Sequence, residues 1–457
     1  MQMGAKFSSK FGAIAATIGS AVGLGTVWRF PNEVQDNGGA AFLIIYLVCM
    51  LLMGIPVMLA EFSIGRSRNT TDNIRGFAMK GKWQLSSAVA VLAAYLILIF
   101  YLVVAGWTIE YLWYAMSGTL YSGIPETEEH VSATASLMAL MQDSLASPAS
   151  AFGWTAAIIV LNLFVLLQGV SKGIERMANV LMPLLFVILL VLCGVSLSLP
   201  NASEGVEFFL KPDFSAINGN MLIDAVGQTF FSLSLGMGIL VTYSSYFPST
   251  TRLTRTAATV SISVFAVAIL MGLIIFPAVK SFGITTDTQG PTLIFITLPE
   301  IFRQMPGSAI WASLFFALLS VAALTSTVSI AEVPIAFLCN RFKWTRRKAC
   351  LVVLLPMFVL SGVCALSHGP LADATLWGLT MFDLLDYLTA NIMLPAVAVC
   401  SCIYVGYVLP SSVLYREMTN NGTMKSPTAP IFLFIIRYIA PLLIIATFVP
   451  KLIESLC

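Results

Sequence analysis

Two short segments of the chain place glycines and polar side chains inside long apolar stretches. The first runs from Ala21 to Pro31 and contains two glycines, a threonine and Arg29. In hydrocarbon, an unsatisfied backbone N–H or C=O group costs several kcal/mol, so an opened helix needs partners for its backbone. Glycines that weaken a helix beside a charge therefore predict backbone groups turned toward a bound ligand, as in a transport site.

The second segment runs from Phe230 to Leu240, with two serines and the sequence Gly236-Met237-Gly238. Paired interruptions five spans apart are typical of transporters built from inverted repeats, whose site lies near the middle of the membrane. The alternative is close helix packing through small residues, which explains either segment alone equally well. The pair, with Arg29 beside it, favours a transport site.

A third set of polar groups lies in the span near residue 325. Ala322, Thr325 and Ser326 occupy positions i, i+3 and i+4, so one carbonyl and two hydroxyls share a helix face. Such oxygens suit a monovalent cation. The alternative is that each hydroxyl bonds a carbonyl one turn earlier in its own helix.

The composition defines the broad class. With 58% hydrophobic and 10% charged residues, the chain is predicted to be a polytopic membrane protein in contact with a lipid bilayer. A net charge of +2 gives no reason to expect nucleic acid as a partner. The spans carry no nucleophile–base or metal cluster, which disfavours an enzyme. The sequence also shows no ion-selective filter and no signalling domain, which disfavours a channel or a sensor.

Apolar stretches of roughly 20 residues predict eleven membrane spans in one transmembrane domain over 1–457. The predicted spans are 11–34, 40–64, 87–116, 154–170, 177–199, 221–245, 256–279, 308–338, 348–366, 375–408 and 429–453. Repeat one is expected over 11–199 and repeat two over 221–408, with an extra helix at 429–453. Most of the 24 lysines and arginines fall on the side of the N-terminus, which predicts that this end is cytoplasmic and the C-terminus outside. The segment 117–153 is read as an outer loop, and the apolar segment 281–306 as short helices over the outer mouth or, alternatively, as a disordered loop.

Several motifs resemble the neurotransmitter:sodium symporter family over essentially the whole chain. They are Gly19-Ser-Ala-Val-Gly-Leu-Gly, Trp28-Arg-Phe-Pro, Asn37-Gly-Gly-Ala-Ala-Phe, Gly54-Ile-Pro with Glu61 and Gly65-Arg66, and Ser232-Leu-Ser-Leu-Gly-Met-Gly. The resemblance implies an all-α polytopic membrane protein with a leucine-transporter-type 5+5 inverted repeat, broken spans 1 and 6, and no enzymatic activity. Eleven spans are similar to the bacterial amino-acid branch, so the bacterial plasma (inner) membrane is the expected location.

The resemblance also implies ion sites. Carbonyls of Gly19 and Val22 would complete a sodium (Na+) site with Ala322, Thr325 and Ser326. A second, doubtful sodium site would take Ala21, Thr26, Ser232 and a span 7 position near Ser263. Thr26 replaces the family's usual asparagine there, and no acid or amide occurs between Arg255 and Lys280. Relatives that lack the acid use chloride (Cl−), and the resemblance places that anion near Tyr46, Gln228, Ser232 and Ser263.

The implied substrate is a hydrophobic or aromatic α-amino acid. Gly23 stands where monoamine carriers of the family have aspartate, and the N–H groups near Leu24 and Gly25 would hold a carboxylate with Tyr101. The substrate amine is assigned to the carbonyls of Ala21, Phe231 and Ser232 and the Ser234 hydroxyl. The side-chain pocket is assigned to Ile97, Met237, Ser326 and Ile330, with Phe231 as a lid.

The last set of candidate residues forms the outer and inner gates of the transport pathway. Arg29 needs a partner in the membrane, and Asp386 matches the family's outer gate, so we expect a direct or water-bridged pair. The family's inner gate pair is replaced by Gly4 and Asn340. Pairing of Lys6 and Lys10 with Glu61 or Glu332 is the substitute considered, and inward closure is expected to be weak.

Together these features predict sodium-coupled import of an amino acid by alternating access. The closest alternative keeps the fold and replaces sodium with protons or another ion. The hydroxyl pair of Thr325 and Ser326 favours sodium. The sequence does not indicate an oligomeric state.

Overall fold

The computed structural model of the chain describes residues 6–67, 79, 81–124, 130–283, 293–420, 422–423 and 428–454. Within these residues, nine continuous helices are long and apolar enough to cross a membrane. Numbered as in the sequence analysis, they are span 2 (Ala40–Ser67), span 3 (Gly81–Ser117), span 4 (Pro148–Leu167), span 5 (Val170–Leu197), span 7 (Leu253–Ser281), span 8 (Ser308–Arg341), span 9 (Arg346–Leu366), span 10 (Met381–Val408) and span 11 (Ala429–Val449).

Spans 1 and 6 are each broken into two helices. Span 1a (Lys10–Ala21) and span 1b (Gly25–Asp36) meet at an angle of 61°. Span 6a (Gly219–Ser232) and span 6b (Ile239–Tyr246) are joined by the segment 233–238. The two interruptions predicted from the glycines are therefore confirmed as breaks in the helices.

The break in span 6 depends on backbone conformations that favour glycine. Gly236 and Gly238 have φ angles of +77° and +74°, where residues with a Cβ atom are strained. A Cβ atom on Gly236 would also overlap the carbonyl of Leu394 in span 10. Ser234 adopts φ 54° as well, and its hydroxyl is tied to span 1, as described below.

The broken helices lie at the centre of the bundle. Spans 3 and 8 pack together along their length, span 1a packs against spans 5, 7 and 8, and span 6b packs against span 2. Large apolar side chains such as Val160, Phe164 and Leu190 are exposed on the outside of the bundle, where lipid replaces water.

Two connecting segments differ in how well they were predicted. The segment 117–153, expected to be a loop, contains the helix His130–Ala146 and the first turn of span 4, where Ser147 caps the helix and Pro148 starts it. The apolar segment 281–306 does form short helices at Leu293–Thr297 and Leu298–Arg303, and all the residues of the first are buried. Residues 284–292 lie outside the described part of the chain.

Candidate substrate and ion site

The break in span 1 is held open by hydrogen bonds from other spans. The backbone N–H of Leu24 donates to the Tyr101 hydroxyl of span 3 at 2.9 Å, and the Gln228 side chain of span 6a donates to the Gly25 carbonyl at 3.0 Å. The residues at the break thus use their backbone groups to contact spans 3 and 6a. The Leu24 N–H and the Tyr101 hydroxyl, both assigned to the substrate carboxylate, are therefore bonded to each other.

Gly23 lies where three elements converge. A Cβ atom on Gly23 would overlap both the Ser326 hydroxyl of span 8 and the Tyr101 hydroxyl. A Cβ atom on Gly25 would likewise overlap the ring of Phe231. These two glycines therefore let span 1 approach spans 3, 6 and 8 closely, and the hydroxyls of Tyr101 and Ser326 both lie against Gly23.

The oxygens assigned to the first sodium site lie close together. The Ser326 hydroxyl donates to the Gly19 carbonyl at 3.5 Å, and the Thr325 side chain packs beside Gly19. The Thr325 hydroxyl also bonds the carbonyls of Ala322 at 3.0 Å and Val321 at 3.1 Å in its own helix. Val22 is fully buried at the end of span 1a. Carbonyl and hydroxyl oxygens without a formal charge are the ligands that suit sodium.

The residues of the doubtful sodium site are only partly assembled. The Thr26 hydroxyl lies 3.4 Å from the Ala21 carbonyl, and Ser232 forms a separate group in which its hydroxyl contacts Tyr46 and the Gln228 carbonyl, each at 2.7 Å. Oε1 of Gln228 is buried without a hydrogen-bond partner among the described residues.

Ser263 is not brought to this group. It is half-buried, and the neighbouring Phe265 ring packs against Tyr46 at 6.1 Å. Because positions two residues apart differ by about 200° around a helix, the Ser263 side chain points away from Tyr46. The buried serine on the Phe265 face is Ser261, four residues earlier, whose hydroxyl has no partner within the described residues. Ser261 is two residues from Ser263, within the span 7 stretch that the sequence analysis assigned to this site, and its role as a ligand stays a prediction.

The groups assigned to the substrate amine already have partners in the chain. The Ser234 hydroxyl donates to the Ser20 carbonyl at 2.9 Å, and the Phe231 carbonyl accepts the Ser234 N–H at 3.2 Å. The side chains assigned to the pocket, Ile97, Met237 and Ile330, are all buried. They come from spans 3, 6 and 8 around the break.

A cavity of about 250 Å³, named here the outer cavity, lies above Phe231. It is lined by Leu24, Gly25, Arg29, Phe100, Tyr101, Val104, Phe231, Phe382, Asp386, Ala390 and Asn391. Arg29 and Asp386, the predicted outer gate, are thus walls of one cavity. Within the described residues Arg29 forms its ion pair with Glu33 at 3.1 Å, and its guanidinium lies 5.5 Å from the Phe231 ring centre. Glu33 was missed in the sequence, although its i, i+4 spacing from Arg29 was a usable signal.

The opposite end of the pathway, on the side of the N-terminus, is called the inner side. There Phe7 is buried against the rings of Tyr243 at 5.7 Å and Tyr246 at 6.1 Å, and the Phe7 N–H donates to the Tyr246 carbonyl at 3.0 Å. The N-terminal segment is thereby fixed to span 6b. The expected weak inward closure is not what this packing indicates.

A buried ion pair completes the inner side. Glu332 of span 8 is fully buried and binds both guanidinium nitrogens of Arg346 at 3.0 and 2.7 Å, while Tyr246 donates to it at 2.8 Å. The proposed pairing of Lys6 and Lys10 with Glu61 or Glu332 is therefore wrong, because both lysines are exposed and both carboxyls have other partners. Asn340 lines a small cavity beside Glu61, and Gly4 lies outside the described residues.

Two broken helices whose backbone groups face a central, gated pathway define a secondary transporter of the membrane. The chain belongs to the sodium:neurotransmitter symporter family, whose model matches residues 5–125 and 127–456. It is 36% identical over 446 residues to the uncharacterized sodium-dependent transporter YhdH of Bacillus subtilis, covering 97% of this chain and 96% of the relative. It is 34% identical to an uncharacterized sodium-dependent transporter of Haemophilus influenzae, with 98% of each covered.

The fold has a solved counterpart. The crystal structure of MhsT in complex with L-phenylalanine matches with a TM-score of 0.86 and 36% identity, covering 97% of this chain and 99% of that one. The predicted family and the leucine-transporter-type fold are confirmed, and the chain is a sodium-dependent membrane transporter rather than an enzyme.

Proposed function

We propose that the chain is a symporter that uses a sodium gradient to import a hydrophobic or aromatic L-amino acid. The observation that carries this proposal is the meeting of the Leu24 N–H, the Tyr101 hydroxyl and the side-chain-free Gly23 at the break of span 1. Backbone N–H groups at the start of a helix attract a carboxylate. A monoamine without a carboxylate would instead need an acid near Gly23, and glycine supplies none.

The side-chain pocket supports an apolar substrate. Ile97, Met237 and Ile330 are buried around the break, and the flexible thioether of methionine adapts to side chains of different size. The similar transporter MhsT was crystallised with L-phenylalanine, which agrees with this class. Leucine, methionine, phenylalanine, tyrosine and tryptophan are the candidates, with Phe231 as the lid.

At least one sodium ion is proposed to bind with the substrate. Its site is formed by Gly19, Val22, Ala322, Thr325 and Ser326. The second site at Ala21, Thr26 and Ser232 is proposed to be weak, because hydroxyls are poorer ligands than a carboxylate and Ser263 faces away. Sodium binding at the first site would draw the Thr325 hydroxyl away from its own helix.

Chloride is the second candidate ion. The Tyr46 hydroxyl of span 2 contacts the Ser232 hydroxyl of span 6a, and Ser232 donates to the backbone carbonyl of Gln228 one turn earlier, so the three residues assigned to the anion are neighbours. Replacing chloride with gluconate on both sides of a membrane tests this candidate. Uptake that does not change would exclude it.

The transporter is proposed to lie in a bacterial plasma membrane with its N-terminus in the cytoplasm. The lysines and arginines concentrated on the side of Lys6 and Lys10 support this orientation. Spans 1, 2, 6 and 7, which come from both repeats (11–199 and 221–408), would then rock against the other spans around the central site, with 429–453 outside the repeat.

The deciding experiment is uptake of a labelled amino-acid panel into proteoliposomes, with sodium, potassium and pH gradients varied independently. The expected result is accumulation of apolar or aromatic amino acids that depends on an inward sodium gradient. Excess tryptophan should compete with labelled leucine if the pocket is broad. Uptake driven by protons or potassium without sodium would favour the alternative ion, and no sodium stimulation for any substrate would overturn the proposal.

A further inference from the structure

Glu61 of span 2 is a buried carboxyl that is only half satisfied. The residue is 1% exposed, and Oε1 accepts the N–H of Gly236, in the break of span 6, at 2.7 Å. Oε2 is buried and has no hydrogen-bond partner among the described residues. Oε1 therefore stabilises the break in span 6, whereas Oε2 has no hydrogen bond that replaces those it would form with water.

Two other buried carboxyls of the chain have fuller sets of hydrogen-bond or ion-pair partners. Glu175 accepts four hydrogen bonds from the backbone and side chains of Ser8 and Ser9, at 2.7 to 3.0 Å. Glu332 is paired with Arg346, as described above. Burying an ionised carboxylate costs several kcal/mol unless it is paired or fully hydrogen-bonded, so Glu175 and Glu332 are suited to carry charge. Glu61 lacks both kinds of compensation.

The surroundings of Glu61 offer no described cation. Glu61 lines a cavity of about 60 Å³ on the inner side, named here the inner cavity, whose polar walls include the neutral side chains Ser86, Asn340 and Ser401. Cys402 of span 10 interacts electrostatically with Glu61, and as a buried thiol it supplies no positive charge. Besides the exposed Arg255 and Lys280 of span 7, the charged side chains on span 2 itself and on the helices packed against it are Arg66, Arg416, Glu417 and Arg437.

Those charges have partners of their own. Arg66 and Arg416 pair with Glu417 at 2.6 and 3.7 Å, and Arg437 donates to the Gly406 carbonyl at 2.6 Å. The inner cavity is larger than the volume that one water molecule needs, so water can carry a proton between Glu61 and the inner side. The geometry thus combines a carboxyl suited to the neutral form with a route for its proton.

We propose that Glu61 is a proton-binding site that controls opening of the inner side. In the arrangement described here, Oε2 holds a proton and Oε1 accepts the Gly236 N–H. When the inner side opens and water reaches the carboxyl, the O–H bond of Oε2 breaks, and the proton passes through the inner cavity to the inner solution. The closed arrangement binds one more proton than the open one, so a rise in pH on the inner side favours opening. This goes beyond the proposed function, because it does not depend on which amino acid is carried.

The protonation state is measured directly by infrared spectroscopy of the full chain in lipid nanodiscs. A protonated carboxylic acid has a carbonyl stretch apart from that of a carboxylate, and deuterium exchange shifts it. The wild type should show this band at neutral pH and lose it as pH rises, and Glu61→Gln should lack it. Glu175→Gln is the matched control and should keep the band. A wild type without the band, or a band that persists unchanged in Glu61→Gln, overturns the proposal.

The effect on transport is measured in proteoliposomes with a fixed outer pH and a varied inner pH. Wild-type uptake should rise with inner pH, whereas uptake by Glu61→Gln, which keeps an acceptor for the Gly236 N–H, should change less than about twofold. Equal pH dependence in the two proteins contradicts the proposal. Sodium-dependent binding of labelled phenylalanine to the same samples tests the proposed function separately. Its failure would leave the infrared result to decide on the proton site alone.

Discussion

The outer and inner ends of the pathway hold their charged groups in opposite ways. At the outer end, Arg29 and Asp386 are walls of a cavity of about 250 Å³, and Arg29 is paired locally with Glu33. At the inner end, Glu332 and Arg346 are bound directly to each other in a buried site. The charged groups at the outer end thus face a cavity, whereas the pair at the inner end is in direct contact and closed.

This difference also separates the energetic roles of the two ends. Loss of one partner of a buried pair leaves an uncompensated charge, which costs about 3–5 kcal/mol. Loss of Asp386 leaves Arg29 with Glu33 and with water. Substitutions at the inner end should therefore change the conformational equilibrium, and those at the outer end should change substrate capture.

The largest effect is expected at Gly23, where the two ends meet. In Gly23→Ala, the added methyl group would overlap the hydroxyls of Tyr101 and Ser326. Overpacking of this kind costs about 1–3 kcal/mol, which corresponds to a reduction in binding of about fivefold to 160-fold. Binding of labelled phenylalanine to purified protein measures this reduction in affinity. The control is Gly194→Ala in span 5, where the methyl group meets no other atom within 4 Å. Equal binding by both variants would show that Gly23 is not at the site.

A large effect is also expected for Glu332→Gln. The amide keeps an acceptor for Tyr246 but removes the charge that compensates Arg346. Because Arg346 is 24% exposed, we expect the substitution to destabilise the closed arrangement by about 3 kcal/mol, the lower end of the range for buried pairs. Uptake should fall at least about tenfold, and a cysteine at Ala336, in the inner cavity, should become more reactive toward a water-soluble thiol reagent.

The control for this prediction is Glu207→Gln. Glu207 forms an exposed pair with Lys211, so its loss should leave both readouts unchanged. Labelling of the cysteine that stays low in Glu332→Gln would contradict the role of this ion pair in closing the inner side.

A moderate effect is expected for Asp386→Asn at the outer end. Apparent KM for the amino acid should rise about threefold to tenfold with little loss of thermal stability, because Arg29 keeps its partner Glu33. Uptake kinetics and thermal unfolding of the same protein provide the two readouts. Asp383→Asn, three residues earlier at the helix start, is the matched control for KM. A loss of stability as large as that in Glu332→Gln would mean that Asp386 belongs to a buried ion pair and that the two ends are alike.

The smallest effect is expected for Tyr246→Phe. It removes one hydrogen bond to Glu332, worth about 0.5–1.5 kcal/mol, and keeps the ring that packs on Phe7. Labelling of the cysteine at Ala336 should increase about twofold to tenfold. Tyr407→Phe, which loses an exposed hydrogen bond to the Arg437 carbonyl, should leave labelling unchanged. An increase of the same size in both variants would show that the hydroxyl of Tyr246 does not contribute to closure of the inner side.

The sequence was sufficient for features that depend on local chemistry. Span length, the breaks near Gly23 and Gly236, and the shared face of Thr325 and Ser326 follow from residue type and helical period alone. The same local reasoning could have found Glu33 four residues after Arg29. It was not sufficient for contacts between distant segments.

Three features have this long-range origin. The partner of Glu61 is Gly236, 175 residues away, and the partner of Glu332 lies across a turn in span 9, so neither pairing is visible as a spacing pattern. The rotation of span 7 about its axis, on which the assignment near Ser263 depends, is likewise set by packing, as the contact between Phe265 and Tyr46 shows. Inner closure by Phe7 depends on a segment too short and irregular to be predicted.

The hydrogen bond from Ser234 to the Ser20 carbonyl joins the two breaks directly. Ser20 is adjacent to Gly19, whose carbonyl is assigned to sodium, and Ser234 lies three residues before Met237, which is assigned to the side-chain pocket. A larger guest that displaces the break in span 6 would pull on the backbone that holds the ion. Under the proposed function, substrate range and ion affinity would therefore be coupled through this hydrogen bond, and a change that alters one of them would alter the other.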